Sequence, residues 1–239
     1  AARLVYSHND RMIVGGVAPR GGAVALGDLA PLGGVPLLAR REAGIVNVGA
    51  PGTIRADGEV HRLETEDALY LGRGTKALSF EGDGARFYLA SGPAHRAYPA
   101  RRVPLAGAEV LSLGAAGDAN VRKIHKMIRP GAVETCQIVM GFTRLAPGSV
   151  WNTMPAHTHE RRMEVYFYYG LGEGHRVFHL MGRPGETRHI VVADEEAVIS
   201  PSWSLHAGVG TRAYSFVWAM VGENQEFTDM QGVAIDAIW

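Results

Sequence analysis

Cysteine is almost absent from this sequence, which has only Cys136 among its 239 residues. A single cysteine excludes an intrachain disulfide framework and suits a reducing compartment, so we expect a cytoplasmic protein. Cys136 lies in the apolar run Thr135–Leu145, which has the composition of a strand. We therefore expect its thiol to pack in the core and not to act as a catalytic nucleophile.

Long runs of one charge or of apolar residues are also missing. The 24 basic and 24 acidic residues balance without a basic block, which argues against nucleic acid or an anionic membrane as a partner. No apolar stretch approaches the roughly 20 residues that span a bilayer, and no signal-peptide pattern is present. The chain begins at Ala1 without a methionine, so we expect further residues to precede it.

Helical periodicity is hard to find anywhere in the chain. Instead, 31 glycines and 12 prolines separate short runs rich in valine, isoleucine, tyrosine and phenylalanine, such as Ala68–Leu71 and Ala197–Ser200. Many short strands joined by turns are typical of an all-β barrel or sandwich.

Two segments of the chain repeat. The sequence GRGTKALSF at Gly72–Phe80 matches GVGTRAYSF at Gly208–Phe216, and Arg40–Glu42 matches Arg161–Glu164 further upstream. Two matches in the same order indicate two related β-domains in tandem. The polar, glycine-rich region around Gly114–Asn120 separates them, which predicts domains at residues 1–118 and 119–239.

Potential metal ligands cluster in the second half. His157, His159 and Glu164 lie within eight residues, and His206 follows behind a proline turn. Two histidines one residue apart on a strand point to the same face, and a turn after His159 returns Glu164 to it. The set can hold one divalent metal with positions left open, although a His-x-His pair alone is often only a pair of half-exposed histidines. The first half has no such cluster, and its scattered histidines are expected to be solvated or structural.

Two motifs connect the chain to a known family. His157-x-His159-x4-Glu164-x5-Gly170 resembles the first cupin motif, and Pro201-x4-His206 resembles the second. Beyond these motifs the chain is similar to the 5-dehydro-4-deoxy-D-glucuronate isomerase family, a bicupin family of the cupin superfamily. This resemblance covers essentially the whole chain and is carried by Val5–Gly16, Pro93–His95, Leu145–Tyr168, Glu186–Val191 and Gly222–Gln225.

The resemblance implies two tandem cupin barrels, each a double-stranded β-helix or jelly roll, with a metal only in the C-terminal one. It implies one Zn²⁺ per subunit held by His157, His159, Glu164 and His206, and a homohexamer. It also implies a metal-dependent aldose–ketose isomerase of pectin and uronate degradation. The small-molecule substrate would be 5-dehydro-4-deoxy-D-glucuronate, and the product 3-deoxy-D-glycero-2,5-hexodiulosonate. The ligand residues themselves accept zinc, iron, manganese or nickel.

Isomerisation needs a proton carrier, for which the sequence offers several candidates. If the strand after Glu164 is regular, Tyr166 and Tyr168 share its face and approach the metal. His189 and Glu223 are further candidates for acid–base catalysis. Each of the four has an alternative structural role, as a barrel-core aromatic or as a residue that supports the site from outside.

The substrate carboxylate predicts an arginine near the metal, because the planar guanidinium suits bidentate carboxylate binding. Arg162 and Arg188 are the candidates, with surface or interface salt bridging as the alternative role. The segment Trp151–Met154 precedes the ligands and is expected to cap the mouth of the pocket.

Two other functions fit the same pattern of ligands. A cupin that holds Fe(II) with three histidines and a glutamate can be a dioxygenase. A non-enzymatic sugar-binding bicupin is a third class, although such proteins commonly lose their metal ligands, which all persist here.

Overall fold

The computed structural model describes all 239 residues, and it contains 21 strands and four short 3₁₀ turns. The prediction of an all-β protein is therefore confirmed. None of its helical segments has the length and apolar character needed to cross a bilayer. The 3₁₀ turns are Ala30–Leu32, Leu105–Gly107, Ala116–Asp118 and Ile235–Ala237.

The chain forms two compact units, and each unit draws on two segments of the sequence. The first comprises Ala1–Ala108 and Met127–Val139, and the second comprises Glu109–Lys126 and Met140–Trp239. These units differ from the single division near residue 118 that the sequence predicts.

The first unit contains two antiparallel sheets. Its strands are β1 (Ala2–Tyr6), β2 (Ile13–Val17), β3 (Val24–Leu26), β4 (Arg41–Asn47), β5 (Gly52–Ala56), β6 (Glu59–Leu63), β7 (Ala68–Leu71), β8 (Leu78–Glu81), β9 (Phe87–Pro93) and β10 (Arg101–Val103). The larger sheet has the order β1-β2-β9-β4-β7-β10, and the smaller has the order β3-β8-β5-β6.

The core of this unit brings the two sheets together, because alternate residues of each strand point inward. Ile45, Leu69 and Leu89 come from neighbouring strands of the larger sheet. They belong to one buried cluster with Ile54 and Phe80 of the smaller sheet.

The second unit also contains two antiparallel sheets. Its strands are β11 (Glu109–Leu113), β12 (Arg122–Ile128), β13 (Val139–Leu145), β14 (Trp151–Thr158), β15 (Arg162–Tyr169), β16 (Val177–Arg183), β17 (Glu186–Val192), β18 (Ala197–Ser200), β19 (Leu205–Gly210), β20 (Ser215–Gly222) and β21 (Gln231–Gly232). One sheet has the order β11-β12-β13-β20-β15-β18, and the other has the order β17-β16-β19-β14-β21. Two such double-sheet units are the two cupin barrels that the sequence predicts.

The expected strand at Thr135–Leu145 is wrong in its first four residues. The Glu42 side chain is fully buried at the start of β4. Its carboxylate accepts hydrogen bonds from the backbone N–H groups of Cys136 (2.7 Å), Gln137 (2.7 Å) and Ile138 (3.0 Å). Because these amides serve the carboxylate, they cannot join a strand ladder. Cys136 is only half-buried, which corrects its expected place in the core.

The match between Gly72–Phe80 and Gly208–Phe216 does not join equivalent strands. Gly72 follows β7 and Phe80 lies in β8, whereas Gly208 lies within β19 and Phe216 lies in β20. The second match does correspond, since Arg41 begins β4 and Arg162 begins β15. Each strand is also an inner strand of its six-stranded sheet, β4 between β9 and β7 and β15 between β20 and β18.

Candidate metal centre

Two neighbouring strands position His157 and His206. The two residues are direct cross-strand partners in the antiparallel pair β14 and β19. Partners on one face of such a pair have Cβ atoms about 5 Å apart, which lets the two imidazoles meet. The ring centroids of the two imidazoles are 4.7 Å apart.

His159 and Glu164 reach the same place from either side of a turn. His159 lies just beyond the end of β14 and not on it, which corrects the expectation that both histidines share one strand. The chain then turns and enters β15, where Glu164 is the third residue and pairs with Ser200 and Met220. The predicted return of the glutamate to the histidines is therefore present.

The four side chains place their donor atoms within 4.8 Å of one another. Glu164 Oε2 lies 2.8 Å from His206 Nε2 and 3.1 Å from His159 Nε2. The Nε2 atoms of His206 and His157 are 3.1 Å apart. Bonds of about 2.05 Å from a tetrahedral zinc would separate the donors by about 3.3 Å, so the spacing fits a metal ion.

The outer nitrogens of two histidines are fixed by hydrogen bonds. His159 Nδ1 donates to the carbonyl oxygen of Asp229 (2.6 Å), and His206 Nδ1 lies 3.2 Å from the carbonyl oxygen of Ser204. With Nδ1 protonated, each Nε2 presents a lone pair to the centre of the cluster. Acceptor atoms that face one another repel, so the arrangement favours a cation between them.

The charge states of the cluster also suit a cation. Burial and the neighbouring His206 lower the pKa of His157 to about 3, so its imidazole is neutral at pH 7. Burial alone would raise the pKa of Glu164, but His206 and His159 outweigh it and hold that pKa below its ordinary value. A neutral imidazole and an ionised carboxylate are the forms that bind metals.

A cavity of about 220 Å³ adjoins the cluster. Its lining includes the exposed residues Leu113, Pro155 and Met230, which mark where it opens. Its remaining lining residues are Leu111, Arg122, Ile124, Thr143, Thr153, His157, His159, Arg162, Glu164, Tyr166, Phe216, Trp218, Met220 and Phe227. Most of the wall is apolar, with a smaller number of polar groups, as in many small-molecule sites.

Tyr166 is the one tyrosine that lines this cavity. Its ring centroid is 5.2 Å from that of His206, and its hydroxyl is hydrogen-bonded to Thr153 Oγ1 (2.8 Å). Thr153 sits where the pairing of β14 is irregular, and its φ of 49° is unusual for a β-branched residue. The irregularity turns the threonine toward Tyr166, which is a common role of a bulge beside a functional site.

Tyr168 shares the face of Tyr166 but lies outside the cavity lining. It is fully buried, and its hydroxyl is hydrogen-bonded to His179 Nδ1 (2.7 Å). His179 is also fully buried, and its Nε2 has no hydrogen-bond partner. The expected common face of the two tyrosines is therefore present, but only one of them meets the cavity.

Arg162 lines the cavity with a side chain that is only 1% exposed. Its terminal nitrogens donate to the carbonyl oxygens of Glu226 (2.5 Å), Asp229 (3.2 Å) and Phe227 (3.3 Å). Burial lowers the pKa of this guanidinium. The arginine thus holds the segment 226–229, and the same segment supplies the carbonyl that orients His159.

Three of the predicted site residues do not join the cluster. Arg188 and His189 lie on β17, the edge strand of its sheet, where both are exposed. The Arg188 side chain is 77% exposed and pairs with Glu186 at 3.4 Å. Glu223 follows the end of β20 and is exposed as well. Their side chains are solvated, and none of them lines the cavity.

Two residues at the site, Arg122 and His179, are indicated by no pattern in the sequence, and a third belongs to a segment that was predicted only as a whole. Arg122 lies on β12, more than thirty residues before the first ligand, and no motif marks it. His179 lies in a strand that has no ligand motif of its own. Thr153 falls in the segment Trp151–Met154, which was expected to cap the pocket, and it is the member of that segment that lines the cavity.

A comparison with curated proteins gives relatives of high sequence identity. One is the 4-deoxy-L-threo-5-hexosulose-uronate ketol-isomerase of Burkholderia cenocepacia, which is 54% identical over 243 residues. The alignment covers 98% of this chain and 87% of the relative.

Solved structures show a similar fold at much lower identity. An IolB-like protein from Salmonella typhimurium superposes with a TM-score of 0.72 at 16% identity, over 93% of this chain and 86% of the other. An oxalate decarboxylase from Lactobacillus farciminis gives a TM-score of 0.66 at 10% identity, over 98% and 83% of the two chains. Residues 34–234 match the KduI/IolB family as a whole, which confirms the family resemblance seen in the sequence. By this match and by its close relatives, the chain belongs to the KduI/IolB family.

Proposed function

We propose that this protein is an aldose–ketose isomerase that converts 5-dehydro-4-deoxy-D-glucuronate to 3-deoxy-D-glycero-2,5-hexodiulosonate. The observation that carries the proposal is the intact cluster of three histidines and one glutamate beside a cavity. The ketol-isomerase relatives, which are about half identical over nearly the whole chain, supply the reaction and the substrate.

The cluster would hold one Zn²⁺ through His157, His159, Glu164 and His206. When bound, such an ion polarises a carbonyl oxygen as a Lewis acid and brings no redox chemistry of its own. The chain contributes the orientation of the ligands, through the carbonyl oxygens of Asp229 and Ser204. The apolar wall of the cavity excludes water from the reacting carbons.

Tyr166 is the proposed general acid, a hydroxyl that donates to a substrate oxygen; the group that takes the proton from carbon is not assigned. Burial and the nearby Glu164 raise the pKa of its phenol well above the ordinary value, so Tyr166 Oη holds a proton at pH 7. From the cavity wall this hydroxyl can donate to a substrate oxygen, and Thr153 Oγ1 fixes its direction. Tyr168 takes a packing role, because its hydroxyl is already bonded to His179. His189, Glu223 and Arg188 have no part in this proposal.

The oligomeric state and the cellular location of the enzyme are part of the same proposal. A homohexamer in the cytoplasm is the arrangement that the family resemblance and the single cysteine support. Size-exclusion chromatography with light scattering measures the number of subunits directly.

The test is turnover of 5-dehydro-4-deoxy-D-glucuronate, followed together with metal content by mass spectrometry. We expect about one zinc per chain and loss of turnover on chelation, with recovery when zinc is returned. His206→Ala should lose both the metal and the activity, whereas the matched variant His189→Ala should retain both, because His189 is exposed on an edge strand.

Other outcomes would point to other functions. Stoichiometric iron with oxygen uptake would replace the isomerase with a dioxygenase. A metal-free protein that binds sugar acids without turnover would indicate a binding protein.

A further inference from the structure

The cavity beside the cluster contains two guanidinium groups, Arg122 and Arg162, and a single carboxylate, Glu164. A sugar acid bound there with its carbonyl at the cluster has its own carboxylate to place. One of the two arginines is suited to receive it. This inference rests on the proposed function, because it concerns the substrate of the same site.

Arg162 is already committed to the protein. Its two terminal nitrogens are bound to three carbonyl oxygens of the segment 226–229, and its side chain is almost fully buried. To receive a carboxylate with its terminal fork, Arg162 would have to release the segment that orients His159. Its Nε has no hydrogen-bond partner but is buried, so Arg162 supports the ligands and does not present its terminal fork to a substrate.

Arg122, in contrast, has few hydrogen-bond partners within the protein. It is half-buried on β12, and its one hydrogen bond runs from Nη1 to the carbonyl oxygen of Asn120 (2.8 Å). No acidic side chain of the chain pairs with it, although burial makes an unneutralised charge costly. Burial lowers the pKa of this guanidinium, and the nearby Tyr166 phenol counteracts part of that effect. Arg122 lines the same cavity as Tyr166, whose ring lies against that of His206.

We propose that Arg122 binds the carboxylate of the sugar-acid substrate and fixes its direction in the cavity. In 5-dehydro-4-deoxy-D-glucuronate the carboxylate and the reacting carbonyl are at opposite ends of a six-carbon chain. A carboxylate held at Arg122 leaves the other end free to reach the cluster past Tyr166. The free part of the guanidinium can form two parallel hydrogen bonds with both carboxylate oxygens.

Two variants of Arg122 test this assignment. Arg122→Gln should raise KM about 30-fold with a smaller change in kcat, which is the effect of removing a charge-assisted pair that binds substrate and transition state alike. Arg122→Lys should recover part of the loss, because lysine keeps the charge but not the fork. The metal content should stay at the wild-type value in both. Arg188→Gln is the matched control and should leave KM unchanged, since Arg188 is exposed and bound to Glu186.

A binding measurement separates this proposal from the reaction. Isothermal titration calorimetry with D-gluconate, an open-chain sugar acid, should show binding to the zinc-loaded wild type and at least tenfold weaker binding to Arg122→Gln. Neutral D-glucitol should bind both proteins equally. If the wild type binds gluconate through Arg122 but does not turn over the keto-uronate, the carboxylate site stands and the proposed reaction fails.

Two results would overturn the assignment. Wild-type KM and gluconate affinity in Arg122→Gln would do so while leaving the isomerase intact. Loss of zinc in Arg122→Gln would show instead that the residue supports the metal centre and does not contact the substrate.

Discussion

The buried Glu42 carboxylate of the first unit offers a sharp test of how that unit is held together. It accepts four hydrogen bonds, three from the backbone amides of Cys136, Gln137 and Ile138 and one from the Tyr70 hydroxyl (2.8 Å). The segment Met127–Val139 belongs to the first unit although the chain reaches it only after part of the second. We therefore predict that Glu42 is needed to keep this segment in place.

The magnitude follows from the donors that each substitution leaves without a partner. In Glu42→Gln the remaining oxygen can still serve two amides, and the Tyr70 hydroxyl can turn to accept from the new NH₂ group. One buried N–H is then unsatisfied, which costs about 2 kcal/mol in unfolding free energy. Glu42→Ala leaves all four donors unsatisfied and, at the same cost for each donor, should cost about 8 kcal/mol, a large part of the roughly 5–15 kcal/mol of a typical domain.

The two units can be observed separately. All four tryptophans, Trp151, Trp203, Trp218 and Trp239, lie in the second unit, so their fluorescence reports its unfolding. Far-ultraviolet circular dichroism reports both units. Hydrogen exchange measured by mass spectrometry on the peptide 133–139 reports the amides themselves. We expect faster exchange in this peptide and an earlier urea transition by circular dichroism, in the order Ala before Gln before wild type.

The matched control is Glu59→Gln, at a glutamate whose side chain is 74% exposed. Its unfolding free energy should change by less than about 0.5 kcal/mol. Unchanged exchange in the peptide 133–139 of Glu42→Ala would refute the reasoning, because those amides would then not depend on the carboxylate.

Three further predictions concern the second unit. Tyr166→Phe should lower kcat about 100-fold with zinc retained, whereas Tyr168→Phe should lower stability and leave kcat nearly unchanged; initial rates and urea unfolding decide between these results. Asn224→Ala removes the 2.5 Å hydrogen bond to Asp229 Oδ2 and should weaken zinc binding about tenfold. Competition with a chromophoric chelator measures this affinity, and an unchanged value would show that the segment 226–229 does not need this hydrogen bond. Burial and the nearby His206 lower the pKa of His179 to about 3, below its unfolded value of about 6.5. The unfolded state therefore binds more protons between these values, so stability should fall by up to about 1.4 kcal/mol per unit as pH drops below 6.5; tryptophan-detected unfolding should show a shallower fall in His179→Gln, and an equal fall would exclude His179 as the cause.

Much of the metal cluster could be predicted because its ligands carry local information. His157, His159 and Glu164 are close in sequence, and a strand followed by a turn brings them together whatever the rest of the chain does. His206 is distant, but its proline turn and spacing mark it. The alternation of short apolar runs with glycine and proline similarly predicted an all-β fold.

The residues that could not be predicted depend on long-range pairing or on the backbone. Arg122 reaches the cavity only because β12 and β15 belong to the same sheet. The oxygen that orients His159 is the backbone carbonyl of Asp229. Every residue has a backbone carbonyl, so the residue type at position 229 does not indicate this role. The run Thr135–Ile138 has the composition of a strand, but its backbone N–H groups donate to the buried Glu42 carboxylate, more than ninety residues earlier in the chain.

The register of corresponding strands explains why the first unit has no carboxylate at the place of Glu164. Glu164 on β15 pairs with Ser200, the last residue of β18, and Ala43 on β4 pairs with Leu71, the last residue of β7. By this register Ala43 occupies the place of Glu164. The nearest acid, Glu42, is one residue earlier and points to the opposite face of its sheet. The segments Arg40–Glu42 and Arg161–Glu164 therefore do correspond, but the glutamate of the first lies one residue too early to act as a metal ligand.

The opposed positions of His157 and His206 link metal binding to the correctness of the fold. A slip of one residue between β14 and β19 would turn one imidazole to the other face of the sheet and separate the pair. The free energy of metal binding is then available only to chains whose strands are paired in the native order. A bound ion would thus stabilise correctly paired barrels over misaligned ones during folding. Metal supply would then influence the yield of correctly folded protein as well as its activity.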